Sequence, residues 1–285
     1  MTQKLPPLYD QLEVEPDRYI PLEHISYGGD DPHSHVLNPD NEAEAEALVG
    51  SDYPYIDHSF YYKFWNFLYY LQSRTLINFL QYFRYGFRLK GKENITKNKH
   101  LFKNGAMTVC NHVFRWDMSG VFTAIGWRQL RFPIWRGQMA GKDARRMHTM
   151  GGIPIPASVS DMKKFYEALD YYHQKGYWIH FFAEESRWEF YTPIRPFKKG
   201  AFNFAMRLNV PIIPMAYSYR ERTGILKWFG KEACVTLNVG EPILPNPEIT
   251  DKRAQIDDMR RRCHEAMVKL AGIKKNPWTY NQTEK

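Results

Sequence analysis

Cysteine is scarce in this sequence and badly placed for cross-linking. Cys110, Cys234 and Cys263 are odd in number, far apart and without a CxxC pair. That spacing excludes a disulfide framework and a thiolate zinc site, and a reducing, cytosolic compartment is the expectation. Long hydrophobic runs are missing too. No stretch of about 18 residues is both apolar and uncharged, so no conventional transmembrane helix is expected. The opening MTQKLPPLYDQLEVEPDRY has no basic start followed by an apolar segment, and it does not read as a secretory signal. RNP-like, zinc-finger and KH patterns are absent, so no nucleic-acid partner is expected.

What is present suits one large α/β domain with appendages: 285 residues, 44% of them hydrophobic. The net charge of +8 hides an asymmetry. Residues 1–58 hold 13 acids against 2 bases, and the remainder holds 18 against 37, giving −11 and +19. A body this basic implies an anionic partner, and the 16% aromatic content leans toward an anionic membrane surface.

Three segments follow. Residues 1–58 form an acidic arm, with loop material at Gly28–Asp40 and a short helix at Asn41–Val49. Asp30, Asp31, His33 and His35 are ligand types in a turn-rich loop. A solvated turn is the better reading, and no metal is expected. Residues 59–90 are the most apolar part, interrupted by Lys63, Arg74, Arg84 and Arg88. At about 100° per residue these four bases fall within a stripe of roughly 80°. Gln72 and Thr75 interrupt the pattern, which predicts two amphipathic helices lying in a membrane interface. An ordinary packed helix pair with snorkelling bases is the competing reading.

From residue 91 to 285 strand-like and helix-like runs alternate. Strands are predicted at Ala106–Cys110, Phe132–Met139, Tyr177–Ala183, Val210–Tyr219 and Ala233–Val239. Helices are predicted at Met118–Trp127, Lys142–Met150, Val159–Lys175, Lys198–Leu208 and Asp251–Ala271. The alternation predicts a single α/β domain with a largely parallel or mixed sheet flanked by helices.

The chemistry-bearing stretch is Thr108–Asp117, in which an apolar strand delivers Asn111 and His112, and Asp117 follows five residues after the histidine. A histidine held by a carboxylate takes a proton from a hydroxyl near neutral pH. Cys110 shares a strand face with His112, so a covalent Cys–His route is also conceivable, although a buried small hydrophobe is the better reading. A second strand-like run ends in Glu184, Glu185, Ser186 and Arg187. Its arginine suits a phosphate and its glutamate a hydroxyl. Lys198 and Lys199 stand at a helix start, where the dipole favours an anion.

The order of these elements carries more weight than any one of them. NHxxxxD after a strand, Gly151-Gly152-Ile153-Pro154-Ile155, Phe182-x-Glu184-x-x-Arg187, Pro196-Phe197-Lys198-Lys199-Gly200-Ala201 and Val210-Pro211-Ile212-Ile213-Pro214 resemble the glycerolipid acyltransferase family. The resemblance covers about residues 60–245. It implies that His112 is the general base, that Asp117 orients and charges it, and that Asn111 belongs to the substrate site. It also implies that Glu184 and Arg187 bind the acceptor. The family's usual arginine in the second motif is replaced by Ala157, and Glu185 stands where glycine is usual. Arg145, Arg146, Arg187 and Lys198 are the candidates to bind acceptor phosphate instead.

The implied activity is transfer of a fatty acyl group from acyl-CoA or an acyl-carrier protein to a lysophospholipid hydroxyl. No cofactor beyond that donor is expected, and the expected location is the cytoplasmic face of a membrane. The degraded second motif keeps open a non-catalytic lipid-binding protein on the same scaffold.

Overall fold

The structure is a computed structural model that describes residues 8–34, 42–50 and 52–279. In chain order it contains β1 (Glu13–Val14), α1 (Glu42–Leu48), α2 (Phe60–Arg74), α3 (Leu76–Tyr85), β2 (Arg88–Lys90), α4 (Lys92–Lys97), β3 (Met107–Cys110), α5 (Asp117–Ile125), β4 (Leu130–Trp135), α6 (Ala144–Met150), β5 (Gly152–Ile155), α7 (Met162–Gln174), β6 (Trp178–Phe182), α8 (Gly200–Leu208), β7 (Ile212–Arg220), β8 (Cys234–Val239), α9 (Lys252–Leu270) and β9 (Ile273–Lys275).

Seven strands form one sheet in the order β2-β8-β7-β3-β6-β4-β5. Only the β7–β8 pairing is antiparallel. β3 lies in the middle, between β6 and β7, and all four of its residues are buried. A strand covered on both faces needs no polar alternation, which is why Met107–Cys110 reads as a short unbroken run. Side chains still alternate between two cores. Met107, Val109, Ile212 and Ala216 face Leu169, Phe202 and Met259 of α7, α8 and α9. Cys110, Ile213, Met215 and Tyr217 face Tyr70, Ile95 and Phe122 of α2, α4 and α5. The predicted mixed, mainly parallel sheet between two helical layers is the fold observed.

The predicted elements differ from the observed ones mainly at their ends. Arg136–Met139, expected to continue a strand, is a 3-10 turn. Two strands of the large sheet escape the sequence reading, β2, only three residues long, and β5, hidden in the Gly-Gly-Ile-Pro-Ile motif, as do β1 and β9 of the two-stranded sheet. β5 is an edge strand, a position that tolerates Pro154. The acidic arm packs onto the body. β1 pairs with β9, Ser26 bridges Glu189, and Tyr9 joins Trp188, Tyr191 and Trp278 in a small aromatic core. Asn41 and His35 lie outside the described residues.

Residues 59–90 do form two helices, and the break falls at Thr75. Ser59 caps α2 by accepting from Tyr62 N at 3.1 Å. The basic stripe, however, is only partly a surface feature: Lys63 and Arg88 are exposed, and Arg74 and Arg84 are tied to the body. Arg88 belongs to β2. Arg74 donates to Gly126 O at 2.9 Å and lies over the Tyr70 ring at 4.3 Å. Arg84 forms a two-bond pair with Glu232, its Nη2 reaching Oε1 at 2.6 Å. Carbonyls and a carboxylate on the body draw these guanidiniums inward, so the helices dock through their polar sides. α2 buries Tyr62, Asn66, Tyr70 and Ser73, and α3 buries Gln81 and Tyr85. Phe60, Phe64, Phe67, Leu71, Leu76, Phe79 and Leu80 are left exposed. No helix among the described residues is long and apolar enough to cross a membrane.

One side chain fastens α2 to the sheet. The Tyr70 hydroxyl donates to Leu130 O at 2.8 Å and accepts from Leu130 N at 2.6 Å at the start of β4. Tyr70→Phe leaves a buried N–H without its partner, and we expect it to lower unfolding free energy by about 1–3 kcal/mol in urea titration. An unchanged midpoint would mean that this contact does not anchor the helix.

Candidate active site

β3 ends at Cys110 and the chain turns through Asn111–Trp116 into α5. The turn is closed by one carboxylate. Asp117, 2% exposed, accepts through Oδ2 from His112 Nδ1 at 2.6 Å and from Val113 N at 3.1 Å, and through Oδ1 from Met118 N at 2.8 Å. An acid in the first turn of a helix is favoured by the dipole, and here it also gathers the N–H groups of the preceding loop. With Asp117 accepting at Nδ1, the proton of neutral His112 sits there and the Nε2 lone pair is available as a base. His112 keeps 22% of its side chain exposed, so solvent or substrate can reach it.

The ring is held from behind. Phe182, the last residue of β6, stacks on His112 with centroids 4.0 Å apart and planes 17° apart. His180 meets Phe182 edge-on at 4.6 Å and shares a hydrogen bond of 2.7 Å with Thr108 Oγ1. Burial, and then electrostatic repulsion from the neighbouring His112, pushes the His180 imidazole down to about 3. It is a neutral core residue at working pH. Tyr217 of β7 donates from its hydroxyl to Asp117 O at 2.7 Å. Gly120 makes that approach possible, since a β-carbon there would collide with the Tyr217 hydroxyl. A glycine inside a helical run was the sequence signal for this contact.

The sequence-predicted residues do not all converge. His112 and Asp117 do. Asn111 is buried and ties the loop to β7, its Oδ1 accepting from Tyr217 N at 2.8 Å, instead of facing an acceptor. Glu184, expected to bind substrate, is 1% exposed and already occupied. It accepts from His112 N at 3.2 Å, from Arg195 N at 2.8 Å and from Arg195 Nη2 at 3.0 Å. Burial makes this carboxylate the support of the His112 backbone, and Arg195 the cation that burying it requires. Arg195 also donates to Ser186 Oγ and to Pro32 O of the arm, both at 2.7 Å, and lies over the Trp188 ring. Nothing in its sequence surroundings, Pro-Ile-Arg-Pro, distinguishes it from a surface arginine.

Arg187 pairs with Glu189 at 3.4 Å, and Lys198 lies 4.0 Å from Glu185. Their loop runs beside the histidine, because Trp188 N donates to His112 O at 3.1 Å and Phe190 N to Val113 O at 2.7 Å. Arg145 and Arg146 lie elsewhere, on α6. Together with Arg115 and Lys142 they line a groove of about 890 Å³ whose other walls include Trp65, Leu68, Leu76 and Leu80 of α2 and α3. Arg115, Trp116, Met118 and Ser119, which follow His112 in the chain, reach this groove; His112 itself does not line it. His33 of the arm hydrogen-bonds Glu184 O at 3.4 Å. Among the described residues no cluster of His, Cys, Asp and Glu could hold a metal ion.

Cys110 is fully buried on the α5 side of the sheet, and burial, followed by the charges of Asp117 and Glu184, pushes its thiol well above the ordinary range. A raised thiol pKa leaves it protonated and unreactive at pH 7–8. Cys234 and Cys263 are equally buried. Ellman's reagent at pH 8 is expected to find no thiol in the folded protein and three in guanidinium. Rapid reaction of one thiol before unfolding would reopen the covalent route.

No curated protein sequence matches this chain. Among solved structures, the 1-acyl-sn-glycerophosphate (LPA) acyltransferase PlsC from Thermotoga maritima is similar at 16% identity and a TM-score of 0.47, covering 74% of this chain and 87% of that one. The family model described as Acyltransferase matches residues 86–218, which include β3, the His112–Asp117 turn, the Glu184 loop and most of β7. Just under half of the chain, the His112–Asp117 turn included, is therefore similar to that acyltransferase family.

Proposed function

We propose that this protein is a peripheral, monotopic O-acyltransferase at the cytoplasmic face of a membrane. It moves a fatty acyl group from acyl-CoA or an acyl-carrier protein to a hydroxyl of a lysophospholipid, 1-acylglycerol-3-phosphate or a related lipid. The observation that carries the proposal is the 2.6 Å His112–Asp117 contact within the family-matched segment.

In the reaction, His112 Nε2 takes the proton of the acceptor hydroxyl as its oxygen attacks the thioester carbonyl. A C–O bond forms, the C–S bond breaks, and the proton passes from the imidazolium to the departing thiolate. Asp117 holds the imidazole in the required tautomer and stabilises its charged form, as the acid does in a hydrolytic triad. Phe182, stacked on the ring, favours the same charged form through its π face. The groove between α2–α3 and α6 offers apolar walls for a chain and four cations for an anionic group.

The membrane assignment draws on the reversed amphipathicity of α2 and α3. Their polar sides dock on the domain, and their Phe and Leu side chains meet solvent. An apolar helical face flanked by cations is favoured at an anionic lipid surface.

His112→Ala is expected to reduce acyl transfer to a lysophospholipid panel by about 10³-fold or more, and Asp117→Asn by about 10²–10⁴-fold. Circular dichroism and vesicle binding should be unaffected in His112→Ala. Near-normal turnover by His112→Ala would overturn the general-base role. Wild-type protein is expected to float with vesicles containing phosphatidylglycerol and to leave them as salt rises through the range where Debye screening shortens. Salt-independent failure to float would overturn the membrane assignment.

A further inference from the structure

The hairpin between β7 and β8 is unusual in what holds it and in what it leaves bare. β7 ends five residues beyond the position paired with Cys110, since Met215 is the partner of Cys110 and the strand runs to Arg220. At the rise of an extended chain this carries the hairpin about 16 Å past the point where β3 gives way to the Asn111–His112 turn. The far end of the hairpin contains a 3-10 turn at Gly224–Trp228.

That turn is fixed to α3. Arg222 donates to Leu226 O at 2.7 Å, to Glu232 O at 2.8 Å and to Arg84 O at 2.6 Å. Arg84 in turn grips the Glu232 carboxylate. Gly230 lies against the Arg84 guanidinium, where a β-carbon would push its Nη1 aside. Phe229 meets Phe83 of α3 at a tilt of 58°, with ring centroids 5.0 Å apart. Rigid as it is, the turn exposes Trp228 by 88% and Ile225 by 69%. Holding two large apolar side chains in water on an ordered turn is costly unless a partner covers them.

We propose that this turn is a second membrane-docking element, a wedge that enters an anionic phospholipid surface beside α2 and α3. The proposal rests on the membrane reading above and extends it to a part of the chain outside the helices. Three features favour lipid over a second copy of the chain. Its apolar surface continues through Phe83 and Phe79 into the exposed face of α3. Lys227 and Lys231 are exposed around the tip. The Trp–Lys combination matches the water–lipid boundary, where an indole sits at the headgroups and an ammonium pairs with phosphate. Docked at both α3 and the hairpin, the domain would present to the lipid the end of the sheet at which β3 delivers His112.

The three native cysteines are buried, so one environment-sensitive fluorophore can be placed at a time. Trp228→Cys reports on the wedge, Phe67→Cys on α2 and Lys163→Cys on an exposed position of α7. With vesicles of equal phosphatidylglycerol and phosphatidylcholine, labels at 228 and 67 are expected to shift to the blue and to be quenched by spin-labelled lipid. The label at 163 should stay unchanged. A response at 67 without one at 228 overturns the wedge and leaves the membrane reading standing. Silence at both positions overturns the two together. A shift at 228 that follows protein concentration without vesicles assigns the surface to a second copy and also overturns the wedge. The unlabelled double variant Ile225→Ala/Trp228→Ala should bind these vesicles at least about tenfold more weakly. Its turnover of lysolipid in detergent micelles should stay at the wild-type level.

Discussion

A single carboxylate joins the parts of this molecule on which the rest depends. Asp117 is buried at the first turn of α5, where the helix dipole favours an anion, and its oxygens collect the His112 imidazole and three nearby backbone donors. The same contacts set the path of the chain between β3 and α5 and the tautomer of the histidine. An uncompensated charge at that depth would be expensive, so the loop can close in only a few ways that keep every acceptor occupied. The fold and the proposed base therefore share one constraint.

Glu184 and Arg195 repeat the logic one layer further in. Their pair is almost fully buried, supports the backbone of His112 on one side and reaches Pro32 of the acidic arm on the other. The arm thereby becomes part of the scaffold behind the site, with Tyr9 and His33 as additional points of attachment. A glutamate that resembles a substrate ligand in its motif serves here as a structural acceptor, because its neighbours have already filled its lone pairs.

The helices at 60–85 show how tertiary contacts decide the use of an amphipathic pattern. Such a helix usually turns its apolar side inward. In α2 and α3 the inward side carries Tyr, Asn, Ser, Gln and Arg, with Asn66, Tyr70 and Arg74 finding carbonyls on the domain, and the aromatic side faces out. That arrangement is the observation behind the proposed lipid-facing surface. The Gly224–Trp228 turn extends the same surface from a different part of the chain.

Much of this was legible in the residues themselves. The alternation of runs predicted the sheet and its helical layers because buried parallel strands are apolar throughout and helices keep their own period. The His112–Asp117 pair was legible because both residues fall within one short loop, and Thr75 because it interrupts a wheel. Three things depended on contacts between segments remote in sequence, and no local pattern encodes them. Arg195 is matched to Glu184 only after β6 and the following loop have folded. Arg74 and Arg84 turn inward only because Gly126 and Glu232 lie where they do. Trp228 is held in solvent only because Arg222 ties the hairpin to Arg84 of α3. Sequence by itself determined the order of elements and the local acid–base pair; the tertiary structure decided which charges are buried, since desolvation depends on what arrives from elsewhere in the chain.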